Sequence, residues 1–109
     1  MLKLTFSPAS PYVRKVLLSA YRAGIQDDIE LVDSGTESDK LLRSKNPLGK
    51  IPVLQKDDGD FLFDSRVIVE HLNKLGSGLI PEHGFERDVI LRRSALAEGL
   101  TDASLHLVY

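Results

Sequence analysis

The sequence predicts an α/β fold, a mixed four-stranded sheet with helices on its faces in the order β-α-β-α-β-β-α, followed by one further helix. Three observations predict it. The first residues alternate apolar and polar and then give way to helical spacing. Two short apolar runs, Val53 to Lys56 and Phe61 to Phe63, flank Asp57-Asp58-Gly59-Asp60 and read as a β-hairpin with a glycine-containing loop. A strand-helix-strand start followed by a hairpin suits a mixed sheet covered by helices.

Each element has a local reason. Leu2, Leu4 and Phe6 alternate with Lys3 and Thr5, a strand pattern. Ser7-Pro8-Ala9-Ser10-Pro11 is a loop ending in a helix start: Ser10 suits the N-cap, and Pro11 suits the first helical position, where its missing N–H costs nothing. Val13, Val16, Leu17 and Ala20 follow at helical spacing, and Gly24 stops the helix. Ile29 to Asp33 reads as a second strand, Ser38 to Lys45 as a short helix, and Asn46-Pro47-Leu48-Gly49 as a turn. After the hairpin, Asp64-Ser65 opens a helix with an apolar stripe at Ile68, Val69, Leu72 and Leu75, ended by Gly76. The expected organisation is a first domain over 1–76, a linker over 77–85 rich in Gly, Pro and short polar residues, and a new helical domain over 86–109. Val89, Ala95, Leu96, Leu100 and Leu107 are apolar positions of that last helix, which runs on with no terminator. A lone helix buries little, so the expectation is that the chain is cut there or that another subunit covers it.

Composition narrows the function classes. A net charge of -2 over 109 residues supplies no electrostatic footprint for nucleic acid. No segment joins a basic face to an apolar one, and the longest apolar runs are far too short to span a bilayer, so no membrane role is expected. No signal-peptide pattern is visible, and a cytoplasmic location is the default expectation. The absence of cysteine removes disulfides, thiolate metal sites and thiol-disulfide chemistry by the protein itself.

Three places could carry chemistry. A hydroxyl at a helix N-terminus, as at Ser10, can donate to an anion that the helix dipole and backbone N–H groups also favour. Such a site would stabilise a ligand thiolate, the nucleophilic form of a thiol. Arg14 and Lys15 in the same first turn oppose the dipole and hint at an anion nearby; a plain cap with two solvated cations explains the same residues. A hydrolase reading of Ser10 needs a positioned base, and His71, His83 and His106 are too scattered to supply one or to hold a metal. The second place is Lys50-Ile51-Pro52-Val53, where a proline leads a strand. A cis bond at Ile51-Pro52 would turn the Ile51 backbone towards a ligand, and Lys50 either pairs with a carboxylate or is solvated. The third is Asp64-Ser65-Arg66, a strand-to-helix junction with a capping serine. There Asp64 could accept from an ammonium group and Arg66 could pair with a carboxylate; the alternative is again a plain cap. Together the three places suit an elongated ligand with several charges.

The same segments carry a resemblance. Ser10-Pro11-Tyr12-Val13-Arg14-Lys15-Val16, Asn46-Pro47-Leu48-Gly49-Lys50-Ile51-Pro52-Val53-Leu54 and Asp64-Ser65-Arg66-Val67-Ile68-Val69-Glu70-His71-Leu72 resemble, in order, the first helix, the cis-proline segment and the glutathione-clamping serine segment of glutathione transferases. Leu79-Ile80-Pro81 and the following helix resemble that family's linker and second domain. The resemblance implies a thioredoxin-like fold over residues 1 to about 75, glutathione as co-substrate, an electrophilic small molecule as second substrate, a homodimer, and no metal or organic cofactor. It implies that Ser10 holds the glutathione sulfur, with Ser7 a lesser candidate because some classes place the activating serine earlier. It further implies that the Ile51 backbone, beside a cis Pro52, pairs with the cysteinyl part. Asp64 and Ser65 would hold the γ-glutamyl end with help from Arg66, and Lys50 would approach the glycyl carboxylate. The implied activity is conjugation of glutathione to an electrophile, as in detoxification. Two other roles fit the same fold: a non-catalytic binding or interaction module, and a glutathione-dependent reductase, peroxidase or isomerase run by the ligand's own thiolate.

Overall fold

Leu2–Phe6 forms β1 in the computed structural model, which describes residues 1–108. Its alternation is realised in three dimensions: Leu2 and Leu4 are buried and Lys3 between them is exposed. A 13-residue helix, α1 (Pro11–Ala23), then returns the chain so that β2 (Ile29–Asp33) lies parallel to β1, with Leu4 beside Leu31. After α2 (Asp39–Lys45), the hairpin of β3 (Val53–Gln55) and β4 (Phe61–Phe63) adds to the other side of β1. Both of its pairings are antiparallel, and the strand order is β2-β1-β3-β4. Helix α3 (Ser65–Leu75) closes the order β-α-β-α-β-β-α. Single 3-10 turns at Gln26–Asp28 and Ser34–Thr36 flank β2.

Register builds the core. Leu4 is paired with Leu54, and Leu54 with Leu62, so one row of leucines crosses the sheet. Against it pack Val16 and Ala20 from α1 and Ile68 and Leu72 from α3, all buried. Of the helical stripes seen in the sequence, Val16, Leu17, Ala20, Ile68, Val69 and Leu72 therefore face this core, whereas Leu75, the last apolar position before Gly76, is exposed. The hairpin is tighter than its apolar pattern: β3 ends at Gln55, because the Lys56 N–H donates to the Asp60 carbonyl and joins the turn.

Two glycines have steric reasons. Gly24 ends α1 in the left-handed region at φ 79°, and its N–H and that of Ile25 satisfy the last helical carbonyls. Gly76 ends α3 against the end of α1; a Cβ there would stand 2.4 Å from the Ala23 carbonyl oxygen and 2.7 Å from its Cβ. The obstacle is largely backbone, so Gly76→Ala should destabilise the first unit by about 1–3 kcal/mol, as overpacking does. Urea unfolding would read this as a lower midpoint with an unchanged slope.

The chain divides into two units, Met1–Leu79 and a second from Ile80 onward. In the second, α4 (Phe85–Val108) begins one residue earlier than its sequence pattern suggests. Glu86 and Asp88 in its first turn suit the helix dipole, and the Arg87 guanidinium donates to the Pro81 carbonyl at 3.1 Å. Phe85, Leu96, Leu100 and Leu107 are exposed on it. No helix among the described residues is long and apolar enough to cross a membrane.

Candidate functional site

Strand register decides which segments meet. Thr5 pairs with Val53, and Val53 pairs with Phe63. The outgoing end of β1, the incoming end of β3 and the outgoing end of β4 therefore lie side by side. Phe6 leads to the Ser7–Ser10 loop, Pro52 immediately precedes Val53, and Asp64 immediately follows Phe63. Three segments far apart in the chain thus converge at one end of the sheet, where the N-termini of α1 and α3 also begin.

Ser10 caps α1 with extended backbone, and its Oγ accepts from the Val13 N–H at 3.2 Å. That bond uses a lone pair and leaves the hydroxyl proton able to donate elsewhere. Ser7 belongs to the same loop: its Oγ accepts from the Ala9 N–H and its carbonyl from the Ser10 N–H. No acid sits in the first turn of α1. Arg14 is exposed and Lys15 half-buried.

The Ile51–Pro52 peptide bond is cis. Pro52 is buried, Ile51 half-buried and Lys50 exposed. The preceding turn hangs on Asn46, a residue that the sequence reading treats only as part of a turn. Its buried carboxamide accepts from the Leu48 N–H at 3.0 Å and donates to the Lys50 carbonyl at 2.9 Å. An asparagine before proline at a helix end is the sequence signal for such a self-bonded turn.

At the third segment the cap differs from the sequence expectation. Asp64, not Ser65, is the N-cap; Ser65 is the first residue of α3 and is buried. Asp64 lies at φ 74°, the one non-glycine residue in that region among the described residues. Such a conformation costs on the order of 1–3 kcal/mol and tends to persist where surrounding structure and function require it. Its Oδ1 accepts from the Arg66 N–H at 2.9 Å and from Arg66 Nε at 3.0 Å, and Oδ2 accepts from Arg66 Nη2 at 2.7 Å. Arg66, expected to meet a ligand carboxylate, is thus held by its own neighbour in a bidentate pair.

That pair sets the Asp64 charge. The Arg66 guanidinium, aided by its backbone N–H and by Lys15, holds the Asp64 carboxyl below its ordinary value of 3.8 despite partial burial. The Lys15 contribution ties the start of α1 electrostatically to the start of α3. A lowered folded-state pKa stabilises the fold above the unfolded value and is lost as pH falls through the folded value. The stabilising effect of Asp64 should therefore be constant above about pH 4 and fade below it. The Asp64→Asn variant would still tolerate positive φ and cap the helix. The wild-type advantage in melting temperature over that variant should therefore shrink as the pH falls from about 4 to about 2. An advantage independent of pH would refute this electrostatic account.

His71 lies elsewhere on α3. Burial lowers its pKa, and the charges acting on it are those of Lys56, Lys74, Asp58 and Asp57, mostly from the hairpin turn at the opposite end of the sheet. Among the described residues, no group of three or more histidine and carboxylate side chains could hold a metal ion.

Residues 9–75 match the family model described as the glutathione S-transferase N-terminal domain. The chain is 32% identical over 106 residues to the uncharacterized GST-like protein YibF of Escherichia coli K12, covering 95% of this chain and 52% of that protein. A glutathione transferase family member from Pseudomonas fluorescens Pf-5, solved with bound glutathione, superposes with a TM-score of 0.88 at 43% identity over 96% of this chain and 54% of that one. A glutathione S-transferase from Methylobacillus flagellatus KT, also solved with glutathione bound, gives 0.86 at 41% identity, over 96% and 52%. The chain thus spans about half the length of these relatives. With its mixed sheet, its helix order and more than half of its length matched to one family model, the chain belongs to the glutathione S-transferase family.

Proposed function

We propose that this chain binds glutathione across the end of the sheet where its three segments converge, and that Ser10 stabilises the bound thiolate. The observation that carries the reading is the register, which sets two helix N-termini and the Ile51–Pro52 segment side by side. Glutathione is itself elongated, with an ammonium and two carboxylates around a thiol. In this reading the Ser10 hydroxyl donates to the sulfur while its lone pair continues to cap α1. The Ile51 backbone pairs with the cysteinyl unit. Asp64 and Ser65 hold the γ-glutamyl end, with Arg66 positioning the Asp64 carboxylate, and Lys50 lies towards the glycyl carboxylate. Support comes also from the two relatives with glutathione bound.

The proposed reaction is glutathione transfer. The thiol proton leaves to solvent, a sulfur lone pair attacks an electrophilic carbon, and the new C–S bond forms as the leaving group departs with its bonding pair. The electrophile is a small molecule, and the whole protein is proposed to act as a cytoplasmic homodimer in detoxification, with glutathione as co-substrate and no further cofactor.

Titrating glutathione into the chain near neutral pH, while following the ultraviolet thiolate band, tests the reading. Saturable binding with a growing band is expected. Binding without a band would remove the thiolate role, and absence of binding would remove the glutathione site.

A further inference from the structure

Asn46 is, among the described residues, the most deeply buried polar side chain, at 2% exposure. A buried carboxamide is costly unless both its donor and its acceptor are used. Here both are used within one turn. The Asn46 N–H donates to the Leu42 carbonyl and ends α2, its carbonyl accepts from the Gly49 N–H, Oδ1 accepts from the Leu48 N–H, and Nδ2 donates to the Lys50 carbonyl. The turn between contains Pro47, which has no N–H, and Gly49 at φ 66°. Regular structure cannot span it, so the side chain of Asn46 joins its two sides.

The last of these bonds has a consequence for the site. The Lys50 carbonyl and the Ile51 N–H belong to one planar trans peptide unit and point in opposite directions. Holding the Lys50 oxygen on Asn46 therefore fixes where the Ile51 N–H points. We propose that Asn46 is a positioning residue that aims the Ile51 N–H at the cysteinyl main-chain carbonyl of glutathione. This inference rests on the glutathione reading above.

Asn46→Asp keeps an acceptor for the Leu48 N–H but, when ionised, has no donor for the Lys50 carbonyl. Asn46→Ser keeps the short turn bond and loses the longer reach. Both should weaken glutathione binding about 3- to 10-fold, the effect of one misaimed hydrogen bond. Leu2→Ala, which thins the core at the opposite end of β1, serves as the destabilised control and should bind as wild type does at temperatures where all variants are folded. The decisive readout is the Ile51 amide resonance of nitrogen-15-labelled chain. Saturating glutathione should move its proton downfield in wild type and Leu2→Ala, and much less in the Asn46 variants, while the Ser65 amide responds in all of them. Wild-type chain that fails to bind glutathione would sink the glutathione reading and this inference with it. Binding by wild type with a silent Ile51 amide, or with an equal Ile51 response and affinity in the folded Asn46 variants, would overturn the positioning role alone.

Discussion

Ser10→Ala should abolish the thiolate band of bound glutathione near neutral pH while leaving the tripeptide able to bind. One charge-assisted hydrogen bond stabilises an anion by roughly 1.5–3 kcal/mol. Its loss raises the pH at which the bound thiol ionises by about one to two units. If thiolate attack limits turnover, conjugation near neutral pH falls by a factor of about 10 to 100. The same substitution removes the cap on Val13 N–H, at about 1 kcal/mol of stability. The two effects separate through companion variants. Ser10→Thr keeps a hydroxyl and a cap and should preserve both properties. Ser10→Asp keeps the cap but sets a negative charge beside the sulfur, so it should hold stability and still lose the band. A bound-thiol titration in Ser10→Ala that matches wild type would show that Ser10 only caps its helix; the same measurement on Ser7→Ala would then examine the other hydroxyl of the loop.

Leu54→Ala should give the largest loss of stability. Leu54 is fully buried in β3, paired with Leu4 and Leu62 and packed in the cluster formed by α1 and α3. Removing three carbons there costs about 2–5 kcal/mol, through lost transfer energy and the cavity left behind. A domain of this size loses about 4–8 °C of melting temperature per kcal/mol. Since small domains hold about 5–15 kcal/mol in all, the variant should be near the limit of folding at physiological temperature. Leu96→Ala on α4, where the leucine is exposed, should by contrast stay within about 0.5 kcal/mol. Urea unfolding of both variants checks the contrast. A Leu54→Ala loss below that of Leu96→Ala would mean that the leucine row is not the centre of the core.

The parts of the fold readable from the sequence are those decided within a few residues of chain. Ser10 before Pro11 marks a helix start because the cap reaches only to Val13. Gly24 marks its end because the left-handed turn is local. Asp57 to Asp60 mark the hairpin loop for the same reason, although the first residue of that turn, Lys56, reads from its surroundings as strand. At Asp64-Ser65 local pattern misleads in detail. Serine and aspartate both cap helices, so composition alone does not choose between them. The choice falls on Asp64 because the chain leaves β4 with positive φ there, which puts its carboxylate over the Arg66 N–H and carries Ser65 into the interior.

By itself, then, the sequence determined the element order, the helix stripes, the positions of the turns and, through three motifs in succession, the family. Only the tertiary structure decided that β1, β3 and β4 end side by side, that Asn46 is buried beneath its own turn, and that Arg66 is held by Asp64. Caps, turns and helical periodicity arise from contacts between neighbours a few positions apart, and such contacts leave their mark in residue type. Convergence of segments far apart in the chain depends on strand register, which is chosen by which leucines share one face of the sheet across β1, β3 and β4.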